Sequence, residues 1–310
     1  MAEIRPGVCI AVGNQKGGVG KSTNTVHLAA ALGEKDYLSL IIDLDPSAGA
    51  TKHLGIPPHS FAGTLELLTT EETPETLAIT DELPKGVHLI PARPELSELD
   101  HLLSKFADRT RILERSLTQA RPIYDFIFLD TPPNPGATTT VAAYSAAEWF
   151  LLSAFPHPLS VGGLNEALKD IADVRARRNP DLEVLGVIIT AVDARSNLWR
   201  EVDELVNREL PGRGFKTIIS ASMDVARCPG KGRTLLQMKG SDKHPVANQY
   251  RSLGAEIEER VLNRESFIAG TLNCTFTRPP VESVETVETA GQSELEQDEE
   301  VPASQVAANE

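Results

Sequence analysis

Seven short apolar runs punctuate the chain, each bounded by polar turn residues. Val8–Val12, Leu38–Ile42, Val87–Pro91, Tyr124–Leu129, Trp149–Ala154, Val184–Thr190 and Lys216–Ile219 read as buried strands. Helical spacing fills much of the rest. Val26–Leu32 is helix-like, Ser60–Leu68 and Pro74–Ala78 are short helical pieces, and Leu96–Gln119 places Leu99, Leu102, Leu103, Phe106, Ile112, Leu113 and Leu117 at helical intervals, as one or two helices. Thr138–Ala147, Ser160–Arg178 and Leu198–Leu210 follow. His244–Leu262 then carries the stripe Val246, Tyr250, Leu253, Ile257 and Val261. Strands alternating with helices predict right-handed crossovers and a mostly parallel, twisted α/β sheet with helices on both faces. From about Ser266 the pattern dissolves. The expected organisation is therefore one domain over residues 1–265 and an acidic, disordered tail over 266–310.

Candidate chemistry gathers where strands end. The first run leads into VGNQKGGVGKST, a glycine-rich loop between a strand and a helix. Glycines let backbone N–H groups converge on one point, and the helix start adds its positive dipole end. Lys16, Gly17, Gly18, Val19, Gly20, Lys21, Ser22 and Thr23 form the candidate phosphate cradle. Lys21 reaches the outer phosphates and the Ser22 hydroxyl is a candidate Mg²⁺ ligand. The second run ends in Asp43-Leu44-Asp45-Pro46, which puts Asp45 at a strand end where a carboxylate can orient water. The fourth run ends in Asp130-Thr131-Pro132-Pro133. An apolar strand followed by aspartate suits a carboxylate that holds Mg²⁺ through water. Asp125 starts that strand, at the end away from the phosphates, and reads as a turn or edge residue.

The usual phosphate loop reads G-x-x-x-x-G-K-S/T. Here Gln15 stands at the first glycine and Lys16 follows it, giving K-G-G-x-G-K-S-T. That variant resembles the deviant Walker A motif of the ParA/MinD group of P-loop ATPases. Asp43–Thr51 resembles the group's DxDPQGNAT switch, with Ser47-Ala48-Gly49-Ala50 replacing Gln-Gly-Asn-Ala, and the DTPP ending resembles its Walker B strand. The resemblance covers roughly residues 7–264 and implies a deviant P-loop NTPase fold that binds ATP and Mg²⁺. It implies that Asp45 is catalytic and that Lys16 reaches the nucleotide of a second subunit in an ATP-closed homodimer. It further implies that this dimer binds DNA without sequence preference, that a ParB-like partner triggers hydrolysis, and that the cycle partitions plasmids or chromosomes or positions another cargo. Base contacts fall at Ser220 and Ser222, where the family carries proline and asparagine. Arg195 matches a DNA-contacting arginine, whereas Asp224 stands where an arginine is common. With no helix-turn-helix ahead of the loop, the chain resembles the short form of the family.

Composition narrows the alternatives. Of 310 residues 41% are hydrophobic, ordinary for a globular protein, and no apolar run is long enough to span a bilayer. The N-terminus MAEIRPG lacks the features of a signal peptide, so the expected location is cytoplasmic, with nucleoid association following from DNA binding. The net charge is −14, and Thr271–Glu310 holds nine acidic residues against one basic, leaving −6 for the remainder. Bulk charge therefore disfavours nucleic acid, so contact with DNA needs a local patch. A MinD-like membrane-cycling ATPase would need a terminal basic amphipathic helix, which the acidic tail opposes. An iron–sulfur carrier would need paired cysteines, whereas Cys9, Cys228 and Cys274 lie far apart. A nucleotide-gated scaffold with little hydrolysis stays open, because the altered Ser47–Ala50 switch could misplace water.

Overall fold

The computed structural model describes residues 7–105, 111–157 and 160–272. Phe106 and most of the tail lie outside these residues. Six strands form one sheet: β1 (Val8–Gly13), β2 (Ser39–Asp43), β3 (Val87–Ile90), β4 (Phe126–Asp130), β5 (Trp149–Ala154) and β6 (Glu183–Ile189). Their order is β3-β2-β4-β1-β5-β6 and every pairing is parallel. The strands are apolar on both sides because helices cover both faces. Cys9, Ala11, Leu40, Ile42, Ile127 and Leu129 point to one core, while Ile10, Val12, Ile41, Phe126 and Phe128 point to the other.

The second face is built on α1 (Lys21–Gly33), the helix that follows the glycine-rich loop. Every α1 residue except Ser22 and Thr23 is buried, so the helix is locked in place with only its loop end accessible. Short helices α2 (Gly49–His53), α3 (Thr64–Thr69) and α4 (Pro74–Leu77) link β2 to β3. The expected Leu96–Gln119 segment contains α5 (Leu99–Leu102) and α6 (Ile112–Ala120), with 3₁₀ turns at Pro94–Glu98 and Leu103–Lys105. α7 (Thr138–Ala146), α8 (Ser160–Arg177) and α9 (Leu198–Glu209) follow β4, β5 and β6. α10 (Met223–Arg227) lies in the loop beyond Ser220, and α11 (Pro245–Leu262) packs along α1 through Val246, Tyr250, Leu253 and Ile257. The expected boundary at residue 265 falls inside α12 (Arg264–Ile268), where buried Phe267 packs on Trp149 with ring centroids 5.9 Å apart.

One expected strand is absent. Lys216–Ile219 runs beside β6 without joining the ladder: isolated bridges at Gly214 and Ser220 flank it, and the Ile219 N–H donates to the Ile189 carbonyl at 2.9 Å. The cause is a competing acceptor. The backbone N–H groups of Lys216 and Thr217 donate to the buried Glu256 carboxylate of α11, at 2.8 and 2.7 Å. A charged acceptor forms stronger hydrogen bonds than a carbonyl, so the segment pairs with α11 where a ladder would otherwise continue. Asp125 has the expected edge role: its Oδ2 accepts the Leu38 N–H at 2.8 Å.

A buried threonine pins the end of β2 to the sheet. Thr51 Oγ1 donates to Asp43 Oδ2 at 2.7 Å and accepts the Ala92 N–H at 3.0 Å. Thr51→Val keeps the shape but leaves the Ala92 N–H and part of Asp43 without partners. A buried donor left unpaired costs roughly 1–3 kcal/mol. A urea melt of the nucleotide-free variant should therefore show a loss of about 2–3 kcal/mol, and an unchanged midpoint would remove Thr51 from this role.

Candidate functional site

The strand register assembles the site. Val12 pairs with Asp130, and Asp43 pairs with Asp130 on its other side, so three strands present their carboxyl ends in line. β1 lies between β4 and β5, and the chain leaves β1 and β4 toward opposite faces. Ligands in open parallel sheets bind in the crevice made at such a switch point.

The loop between β1 and α1 is shaped by glycine. Gly18 and Gly20 have φ of +73° and +79°, a region side chains resist. Gly20 is the N-cap of α1 and offers no side-chain cap, so the N–H groups of Lys21, Ser22 and Thr23 begin the helix without intrahelical partners. The first helical bond is Asn24 N–H to Gly20 carbonyl, at 2.8 Å. Around Gly17 and Gly18 a Cβ would meet nothing within 4 Å, which leaves open space on the loop's outer side. The loop is held from beneath by residues the motif alone does not mark. Asn14 Oδ1 accepts the Lys16 N–H at 2.9 Å, and Asn14 Nδ2 donates to the Ser153 carbonyl at 2.7 Å. Ser153 Oγ donates to the Val19 carbonyl at 2.6 Å, and Gln15 Nε2 donates to Asp170 on α8, also at 2.6 Å.

The two lysines differ. Lys21 is buried, and its ammonium reaches the Lys16 carbonyl at 3.5 Å. Burial lowers its pKa, while Asp130 and Asp45 oppose that shift. Lys16 is half-buried, and among the described residues its ammonium has neither an ion-pair nor a hydrogen-bond partner.

Three carboxylates face this loop. Asp130 is fully buried: its Oδ1 accepts from Thr25 Oγ1 at 3.3 Å and its Oδ2 has no hydrogen-bond partner. Burial first, then the Asp43 charge, push its pKa up to about 8, against the pull of Ser22 and Lys21. Asp43 is also raised by burial, to about 6, while Thr51 and the Asp45 N–H hold it down. Asp45 lies just past β2, half-buried, with Oδ1 accepting the Ser47 N–H at 2.8 Å. An orphaned buried carboxylate oxygen beside a serine hydroxyl suits a hydrated divalent cation, while the unpaired N–H groups of the helix start suit an anion. The Ser22 and Asp130 oxygens therefore fit the metal that the sequence implies.

The switch segment shows how its altered residues are accommodated. Ala48 adopts φ +55°, the left-handed conformation, where the family pattern carries glycine. Gly49 sits where a Cβ would lie 2.5 Å from Ser22 Oγ, so a side chain there would press on the Ser22 hydroxyl.

The expected base and DNA contacts are less direct. Ser220 is buried and its Oγ accepts from Gln249 Nε2 at 2.9 Å, while Ser222 Oγ caps α10 by accepting the Asp224 N–H at 3.2 Å. Both hydroxyls therefore have internal roles. Arg195 is exposed and forks onto Asp193, with Nε–Oδ1 at 3.0 Å and Nη2–Oδ2 at 2.9 Å. Its charge is locally balanced. Lys16–Thr23, Asp45 and Asp130 come together at one crevice, whereas Arg195, Ser220 and Ser222 belong to the β6 side. Among the described residues no helix is long and apolar enough to cross a membrane.

Known proteins resemble this chain in sequence and fold. A family profile described as an AAA domain matches residues 7–184. The chain is 30% identical over 255 residues to the chromosome partitioning protein ParA of Myxococcus xanthus, covering 82% of this chain and 89% of that one. It is 32% identical over 252 residues to the chromosome-partitioning ATPase Soj of Thermus thermophilus, covering 81% and 96%. Among solved structures, cobyrinic acid a,c-diamide synthase from Mycobacterium smegmatis, with bound ATP analog and magnesium, matches at TM-score 0.70 and 27% identity. That match covers 83% of this chain and 97% of that one.

Proposed function

The chain belongs to the ParA/Soj family of partition ATPases, and on that premise we propose that it is a switch whose two protomers close on ATP and part after hydrolysis. It is an ATPase, with ATP as substrate and Mg²⁺ as cofactor. The dimeric cycle, the residue roles below and the cargo are the proposal.

The backbone N–H groups at the start of α1 and the Lys21 ammonium bind the phosphates in this reading. The Ser22 hydroxyl and Asp130 would hold Mg²⁺, which when bound offsets the charge of the outer phosphates. Asp45 orients the attacking water from the open side of the crevice. The Thr51–Asp43 bonds keep the switch backbone still while Asp45 acts. Hydrolysis would loosen the contact between protomers, and a ParB-like partner protein would set its timing.

The observation that carries the reading is the Lys16 ammonium, which has no partner among the described residues, at the mouth of a loop whose inner side Lys21 already lines. A second lysine there has its charge free for a triphosphate outside its own crevice. Two apposed triphosphates repel strongly at short range, and an added cation from each side offsets that repulsion. Lys16→Ala should therefore keep ATP affinity close to the parent value yet stay monomeric by light scattering at saturating ATP–Mg²⁺. A variant that still dimerised would dismiss the reading.

The cargo in this reading is DNA, a plasmid or a chromosome, or another cellular body. Arg195 and the exposed Arg227, Lys231, Arg233, Lys239 and Lys243 supply the cations for sequence-independent contact with DNA. The Asp193–Arg195 fork and the 3.8 Å Asp224–Arg227 pair temper that patch, in keeping with a modest affinity.

A further inference from the structure

Away from the phosphate crevice, three metal-binding side chains converge in the apolar core on the α1 face. His27 comes from the second turn of α1, His53 from the end of α2, and Cys228 from the loop beyond Ser220. All three are buried, at 0%, 2% and 0% exposure, and their ligand atoms lie within 4.8 Å of one another. The ring centroids of His27 and His53 are 5.2 Å apart in an edge-on arrangement, and Tyr250 stacks on His27 at 4.4 Å.

The hydrogen bonds prepare these groups as ligands. His27 Nδ1 lies 2.8 Å from the Thr23 carbonyl, which can only accept, so Nδ1 carries the proton and Nε2 keeps the lone pair. A ring nitrogen donating to a backbone carbonyl while the other stays basic is the usual support for a metal-binding histidine. Among the described residues His53 Nε2 is buried with no hydrogen-bond partner, a costly arrangement for a polar atom. Among the described residues Cys228 Sγ has one hydrogen bond, to the Asp224 carbonyl at 3.2 Å. Burial keeps both imidazoles uncharged, with pKa values near 3 and 4, so each has a lone pair at neutral pH. The Cys228 thiol is raised to about 11 by burial, so metal binding there must release its proton.

We propose that His27, His53 and Cys228 form a binding site for a borderline d¹⁰ divalent cation, with Zn²⁺ the fitting ion. A mixed imidazole–thiolate set is soft enough to exclude Mg²⁺, which prefers oxygen, so the site does not compete with the phosphate crevice for its metal. Ligand atoms around tetrahedral zinc stand roughly 3.3–3.8 Å apart, so the cluster closes onto the ion with side-chain shifts of about 1 Å. Three protein donors leave the fourth position to water. One bond has to yield: the Leu235 N–H now donates to His27 Nε2 at 3.1 Å, and the ion takes over that lone pair. The cation would then tie together α1, the switch helix α2 and the Ser220–Gly232 loop. These already touch where Gly55 and Gly232 approach, since a Cβ on Gly55 would lie 2.9 Å from Gly232 Cα.

The test uses the untagged full chain, stripped with a chelator and kept free of nucleotide. Zn²⁺ is titrated against a chromophoric chelator in excess Mg²⁺. One zinc per chain is expected, with affinity weakened at least about tenfold in His53→Gln and in Cys228→Ser and unchanged in Cys274→Ser. Co²⁺ in place of zinc should give thiolate-to-metal charge-transfer absorption that Cys228→Ser abolishes and Cys274→Ser keeps. This reads the ligand directly even if His53→Gln fails to fold by circular dichroism. No uptake by the parent chain, or uptake equal in all the folded variants, overturns the site.

Discussion

Lys21→Ala is expected to lose ATP affinity by on the order of a hundredfold, about 3 kcal/mol, while folding like the parent. The lysine is buried at the start of α1, where burial disfavours its charge and the Asp130 and Asp45 carboxylates keep it. Among the described residues its ammonium has one hydrogen bond, the long one to the Lys16 carbonyl. The ammonium therefore contributes little to the fold. A triphosphate beside it would gain a charge-assisted bond in a low-dielectric crevice without first drawing the lysine from water. Deleting it removes that gain, whereas α1 stays anchored by Val26, Leu28, Leu32 and the α11 stripe. Calorimetric titration with ATP–Mg²⁺ measures the loss, and a thermal melt without nucleotide checks the fold. Undiminished affinity would show that the phosphates sit elsewhere. The same variant separates the two sites, since the His27–His53–Cys228 cluster should take up zinc as before.

Much of this was legible along the chain because parallel sheets write their strands as continuous apolar runs and place their chemistry where those runs stop. Val8–Val12, Leu38–Ile42 and Tyr124–Leu129 each end in the residues that meet at the crevice, and the register then aligns Val12, Asp130 and Asp43. What escaped was set by contacts between distant segments. The KTII segment has strand-like composition, yet Glu256, some forty residues later, takes its N–H groups. Asp43 read only as a neighbour of Asp45, although its bonds to Thr51 fix the switch; the threonine that closes the motif was the one available signal. Ser153 lies in an apolar run that gives no hint that its hydroxyl braces Val19 in the loop. Ser220 and Ser222 matched positions of base contact, but Gln249 and the α10 N-cap engage their hydroxyls. Cys228 was set aside with the other cysteines because no second cysteine lies near it in the chain. Its partners are histidines from two other elements.

Asp45→Ala should cut single-turnover hydrolysis by about 10²–10⁴-fold and leave ATP binding intact, so that the chain accumulates in its ATP-bound form. Alanine alone does not separate chemistry from shape. Asp45 Oδ1 accepts the Ser47 N–H at 2.8 Å, and its own N–H donates to Asp43, so the carboxylate also turns the switch backbone. Asp45→Asn divides these contributions. Its amide oxygen can still accept the Ser47 N–H, keeping the turn, but it offers water a weaker, uncharged acceptor. If the carboxylate acts on the water, Asn and Ala lose rate alike. If its work is to hold the turn, Asn recovers most of the rate. The surrounding geometry favours the first outcome, because the turn has independent anchors: the Thr51 N–H and hydroxyl on Asp43, the Thr64 hydroxyl on the Asp43 carbonyl at 2.6 Å, and the Lys52 ammonium on the Ser47 carbonyl at 2.7 Å. With four other bonds shaping the segment, losing the Ser47 bond should shift the backbone little. Equal hydrolysis by parent and Asp45→Ala would take Asp45 out of catalysis and favour a scaffold that binds ATP without consuming it.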